Sequence, residues 1–140
     1  MTSLDIWYRG QNEPVTAASA DDVDALIERI RTGLPTGRRI IMDVHLTGDP
    51  WSQGLDVGIR ADPAGDVGVL RYSGREWRDG VYSTSQHGPS PAVGDEGKLW
   101  YDDSPFPADA ELPIDTIREA VREFMTTGGA RPQCITWQPG

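Results

Sequence analysis

The stretch LPIDTIREAVREFMTTGGARPQCITWQPG, residues 112–140, reads as one amphipathic helix, a glycine stop and a closing strand. Ile114, Ile117, Ala120, Val121, Phe124 and Met125 fall on one helical face. Asp115, Arg118, Glu119, Arg122 and Glu123 fall on the other, which is the period of a helix lying on a core. Pro113 suits a first turn, where its missing N–H is not needed. Gly128 and Gly129 can take the left-handed conformation that ends a helix, and Pro132 prevents its resumption. Cys134-Ile135-Thr136-Trp137 then alternates as a terminal strand, with Cys134 expected as a small core residue.

Working back towards the N-terminus, one other segment has this helical character. Ser19 precedes Ala20-Asp21-Asp22 as a capping residue with acids in the first turn, and Val23, Leu26, Ile27 and Ile30 recur at helical spacing up to Gly33-Leu34-Pro35. The spacing predicts helices over about 20–32 and 113–127. Leu4 to Tyr8 alternates as a first strand. Arg39–Leu46, Leu55–Arg60, Val67–Tyr72, Val81–Thr84 and Leu99–Tyr101 follow as short strands. Asp62-Pro63-Ala64-Gly65 is a turn, because proline fixes its φ and glycine accepts a positive one, so the strands flanking it form a hairpin. Strands joined by short turns pair antiparallel. The expected fold is α+β: a single domain over 1–140, with a mainly antiparallel twisted sheet of six or seven strands and two helices on one face. Ser85–Gly97 and Asp102–Leu112 read as loops rich in proline and glycine.

Length and composition fit this picture. A chain of 140 residues supports one domain that buries roughly 70% of its unfolded surface. No apolar run is long enough to span a bilayer. The start, MTSLDIWYRGQNEP, lacks the basic and apolar regions of a signal peptide, and a single cysteine forms no internal disulfide, so a cytoplasmic protein is expected. The net charge of −9 repels nucleic acid and anionic membranes and attracts a basic partner.

Catalytic signals are thin. His45 and His87 lack ligand spacing to each other or to Cys134, and an Asp43/His45 pair on one strand face is short of the three or four ligands zinc takes. The acidic dipeptides Asp21-Asp22, Asp95-Glu96 and Asp102-Asp103 point to opposite faces if extended, which makes poor acid/base pairs. No phosphate-binding glycine motif is present, and no cofactor is expected. What stands out is aromatic rings interleaved with acids: Trp77 with Asp79, the run Asp95-Glu96-Gly97-Lys98-Leu99-Trp100-Tyr101-Asp102-Asp103, and Trp51 in a turn-rich segment. Rings beside carboxylates suit an interface, since aromatics dominate binding hot spots and acids steer a cationic partner.

Val69 to Gly74, Gly80 to Ser85, Leu99-Trp100-Tyr101, Phe106 to Pro113 and the tail AVREFMTTGGARPQCITWQ together resemble the first family of immunity proteins of bacterial polymorphic toxin systems. The resemblance runs from about Val67 to Gln138, and its most specific part is the tail, with Ala120, Phe124, Gly128, Gly129, Arg131, Pro132 and Trp137. It implies binding to a cognate toxin domain as a 1:1 heterodimer. The first choice of target is a nucleic-acid deaminase acting on double-stranded DNA, and the second is a nuclease. An acidic antidote can occupy the cationic groove of such a toxin without catalysis. The expected contacts are Asp95, Glu96, Trp100, Asp102 and Asp103, with Trp77, Asp79 and Trp51 behind them, while the tail is expected to be scaffold. The rival readings are a small enzyme using His45 or Cys134 and a regulatory domain for an endogenous basic protein.

Overall fold

The fold was analysed in a computed structural model, which describes residues 3–8, 13–49, 53–74, 77–86 and 88–139, apart from the side chains of residues 77–79 and 95. The elements in chain order are β1 (Leu4–Tyr8), β2 (Val15–Ala17), α1 (Ala20–Gly33), β3 (Arg39–Leu46), β4 (Gly54–Arg60), β5 (Val67–Gly74) and β6 (Trp77–Thr84). A 3-10 turn (Asp95–Gly97) leads into β7 (Lys98–Tyr101), followed by β8 (Ser104–Pro107), β9 (Leu112–Pro113), α2 (Ile114–Thr126) and β10 (Thr136–Pro139). Eight strands form one antiparallel sheet in the order β10-β6-β5-β4-β3-β1-β2, with β9 pairing beside β5; β7 and β8 form a separate hairpin. The α+β arrangement with two helices is as the periodicity implies. The terminal strand is displaced two residues beyond the expected one.

Alternation divides the sheet into two faces. Leu4, Ile6, Met42, Val44, Leu55, Val57, Ile59, Leu70 and Tyr72 point one way and close one core with Val23, Leu26, Ile27 and Ile30 of α1 and Ile117, Ala120, Val121 and Phe124 of α2. Each fully buried aliphatic or aromatic side chain of this kind contributes about 1.5–3 kcal/mol. A salt-bridged seam joins the helices, where Arg118 reaches Glu28 at 3.1 Å and Asp24 at 3.7 Å. The α1 N-terminus is closed reciprocally: the Asp22 N–H donates to the Ser19 hydroxyl at 3.2 Å, and the Asp22 carboxylate accepts from the Ala18 N–H at 3.0 Å.

The tail works as scaffold through its glycines. With Gly128 at φ 72° and Gly129 at φ 95°, the Gly129 N–H reaches the Phe124 carbonyl at 2.8 Å and the Gly128 N–H reaches that of Met125 at 3.2 Å. Those two bonds are the Schellman stop for a helix. The Gly129 carbonyl then accepts from the Tyr72 hydroxyl at 2.9 Å. Trp137 donates its indole N–H to the Pro132 carbonyl at 2.7 Å and meets the Tyr72 ring edge-on at 6.3 Å. Cys134 departs from expectation: it is exposed in the bend before β10, because the chain needs residues 130–135 to cross from the helix end to the sheet edge.

The segment 102–112, expected as a loop, holds β8 and β9. Beside β5, β6 diverges near Leu70. There the buried Ser83 hydroxyl accepts from the Leu70 N–H at 3.0 Å and donates to the Ala110 carbonyl at 2.8 Å, so the interrupted ladder leaves neither group unpaired. β9 then occupies the vacated edge at Val67 and Gly68.

Candidate functional site

The helix-free face of the sheet is partly covered by the β7–β8 hairpin. Along β7 and β8 the residues alternate: Leu99, Tyr101 and Phe106 are buried, whereas Lys98, Trp100 and Pro105 are exposed. The inward residues join Val69 and Ala110 in a second, smaller core. Rings set the packing, with Phe106 edge-on to Tyr82 at 5.6 Å and to Tyr101 at 5.7 Å. Tyr101 lies directly over Gly58, where an added Cβ would stand 2.5 Å from the ring. Glycine is thus required for the hairpin to dock.

A buried polar network anchors the docked hairpin. Glu111 accepts from the Arg60 guanidinium at 2.8 and 2.9 Å, from the Tyr101 hydroxyl at 2.5 Å and from the Ser90 hydroxyl. Arg60 also reaches Asp62 at 2.8 Å. Burial acts to raise the Glu111 pKa, but the hydrogen bonds from Arg60, Ser90 and Tyr101 outweigh it and hold the carboxyl below its ordinary range. Burial, then the hydrogen bond to Glu111, pushes the Tyr101 phenol far up. The bond to Glu111 raises Arg60 still further above its already high value. All of these groups have partners within the chain, which suits a fixed support for the hairpin. Arg39 adds a bond from its guanidinium to the Trp100 carbonyl at 2.6 Å and lies 5.7 Å from the centre of the Tyr101 ring.

The hairpin collects four of the residues expected from sequence. Glu96 is exposed at its base with φ 70°, Trp100 is 39% exposed on its outer face, and Asp102 (φ 52°) and Asp103 are exposed at its tip. Asp95 lies in the 3-10 turn at the base, and Trp77 and Asp79 lie on β6; their side chains are outside the described set. Trp51 and His87 lie wholly outside the described residues.

One feature was not anticipated. Beyond the hairpin the sheet carries a straight cross-strand row of Trp7, Asp43, Asp56, Arg71 and Tyr82, each residue opposite the next on five neighbouring strands. Trp7 is 39% exposed and Asp43 is exposed. Arg71 meets Asp56 at 3.3 Å, and its guanidinium lies 5.9 Å from the centre of the Tyr82 ring. Tyr82 also lines a cleft of about 300 Å³ with Glu96, Gly97, Lys98, Pro105 and Phe106, so the row runs into the hairpin base.

The residues considered for catalysis have other surroundings. His45 Nδ1 lies 3.3 Å from the Gln53 carbonyl oxygen. Partial burial of the sulfur, then the charge of Glu123, pushes the Cys134 thiol up to about 11, which leaves it a weak nucleophile near neutral pH. Among the described residues no group of three or more His, Cys, Asp or Glu is placed to hold a metal ion, and no helix is long and apolar enough to cross a membrane.

A family sequence model described as "Immunity protein Imm1" matches residues 11–139, nearly the whole chain. No curated protein matches it.

Proposed function

The chain belongs to the Imm1 family of immunity proteins, and from that membership we propose that it binds and neutralises a nucleic-acid deaminase toxin domain by laying an acidic, aromatic surface into the toxin's basic substrate site. The observation that carries this reading is the hairpin, where exposed Trp100 stands among exposed Glu96, Asp102 and Asp103 on a rigid base. A toxin acting on nucleic acid needs a cationic groove, and carboxylates can lie there where phosphates would. The net charge of −9 favours rapid, steered association. Asp95, Trp77, Asp79 and Trp51 complete the proposed contact set. The complex is a 1:1 heterodimer formed in the cytoplasm of the producing cell, and inhibition is by occlusion, without catalysis. An interface of about 1,600 Å² is the usual size for such a pair.

If a neighbouring gene encodes a secreted toxin, co-expression with its C-terminal domain tests the proposal. Growth rescue and a stable 1:1 complex are expected; continued toxicity with no complex overturns it. A nuclease domain in that gene, neutralised equally well, would support the alternative target.

A further inference from the structure

We propose that the sheet row Trp7–Asp43–Asp56–Arg71–Tyr82, exposed at Trp7 and Asp43 and half-buried from Asp56 to Tyr82, is a second part of the toxin-contact surface, in which Trp7 packs against the toxin and the Asp43–Asp56 pair receives a lysine or arginine side chain from its substrate groove. This inference rests on the immunity reading above.

The row carries a conflict within the fold. Asp43 and Asp56 stand directly opposite on adjacent strands. Like charges in that position destabilise a sheet, and aspartate is a poor strand former. Neither residue belongs to the core under the helices or to the smaller one under the hairpin. A local choice that opposes the global fold is the mark of a functional site. Burial, then the hydrogen bond and charge of Asp43, pushes Asp56 up to about 7, with Arg71 pulling it down. With the Asp56 proton lost, two carboxylates face the Arg71 guanidinium, so the approach of a cation favours the doubly charged pair.

Large aromatic rings are exposed on the same side. Trp7 and Trp100 are the large hydrophobic residues left exposed among those described, and both belong to the side of the sheet the hairpin covers. Trp7 faces away from the helices because Leu4 and Ile6, its alternating neighbours on β1, fill the main core. The row is continuous with the hairpin, because Tyr82 belongs both to the row and to the cleft that contains Glu96. Row and hairpin therefore form one surface with aromatic residues at its ends and carboxylates between them. A basic protein groove complements that pattern, whereas nucleic acid and anionic lipid carry the wrong sign.

The test measures Kd for Trp7→Ala and Asp43→Asn against the toxin domain that the parent protein neutralises on co-expression, beside thermal melts of the free variants. Asp43→Asn should melt no lower than the parent yet bind about tenfold or more weakly, and Trp7→Ala should lose a similar factor. A purely structural role for Asp43 would not combine an equal or higher Tm with weaker binding. If both folded variants bind within about twofold of the parent while Asp103→Lys binds weakly, the sheet row is outside the interface and the wider reading stands. If the parent protein itself neither binds nor protects, both fall together.

Discussion

Asp43 on β3 and Asp56 on β4 face each other directly across the sheet, and the stability of the free protein should record their repulsion. Replacing Asp43 by Asn removes the like-charge opposition while keeping a hydrogen-bonding group, and should stabilise the fold by about 0.5–1 kcal/mol at pH 8. Urea titration measures this directly. A destabilisation of similar size would mean that the carboxylate has a structural partner the row does not explain.

The pH profile follows from the same pair and from Glu111. Asp56 is pushed up to about 7, with Asp43 on one neighbouring strand and Arg71 on the other as the charged groups facing it. The folded protein then holds this proton where the unfolded chain has lost it, so stability falls as pH rises from about 4 to about 7 and levels off above. Glu111 is depressed, with the opposite sign: its contribution is present above the ordinary glutamate range and is lost as pH falls through its folded value. Thermal melts should therefore peak in mildly acidic solution, near about pH 5. Asp43→Asn should flatten the decline between there and pH 8. A profile for the parent protein that rises steadily from pH 5 to 8 would contradict the assignment of Asp56.

The hairpin tip supplies a prediction about association rates. Asp102 sits at φ 52°, a conformation that asparagine shares readily, so Asp102→Asn combined with Asp103→Lys changes charge while preserving the turn. At low ionic strength the toxin on-rate should drop by about tenfold, and the difference should shrink as salt is added. An on-rate unchanged in stopped-flow measurements at low salt would remove the tip from the encounter surface.

The support beneath the hairpin should be separable from the contacts it presents. Glu111→Gln removes the bidentate carboxylate from Arg60, a residue only 9% exposed, and leaves Asp62 as its remaining carboxylate partner. Losing one of the two carboxylate partners of a buried guanidinium costs about 1–3 kcal/mol. Denaturant unfolding should show that loss, and a change below about 1 kcal/mol would mean the network is not holding the hairpin.

The tail behaves as scaffold, and Trp137→Ala checks it. The substitution removes the edge-on contact with Tyr72 and the bond to the Pro132 carbonyl. A loss of about 2 kcal/mol is expected for a half-buried ring. Toxin affinity, measured well below the lowered Tm, should stay within about threefold of the parent, since truncations outside the hot spot cost little. Abolished binding in a fully stable variant would place the tail at the interface.

What could be read from sequence was whatever a local pattern encodes. The stripe from Ile114 to Met125, the Ser19 cap, the Asp62–Gly65 turn and the double-glycine stop each depend on residues a few positions apart, and each forms as expected. The Val15–Ala17 and Leu112–Pro113 strands are too short to show a period. In Ser104–Pro107 two prolines hide a strand that, among the described residues, pairs with β7 alone and leaves its other edge unpaired, the edge at which a missing N–H is tolerated. The acids and tryptophan of the hairpin were legible because they are neighbours in sequence. The row from Trp7 to Tyr82 was not, because it exists only through the register of five strands, and a shift of one residue would send each side chain to the other face.

In the proposed complex this acidic surface occupies the place of nucleic acid in the toxin. The most direct measurement of this is the toxin domain's activity on DNA, followed as the immunity protein is added at several DNA concentrations. Loss of activity at one equivalent, with an apparent inhibition constant that rises in proportion to DNA concentration, is the predicted result. Undiminished activity at one equivalent, or inhibition indifferent to the amount of DNA, would contradict it.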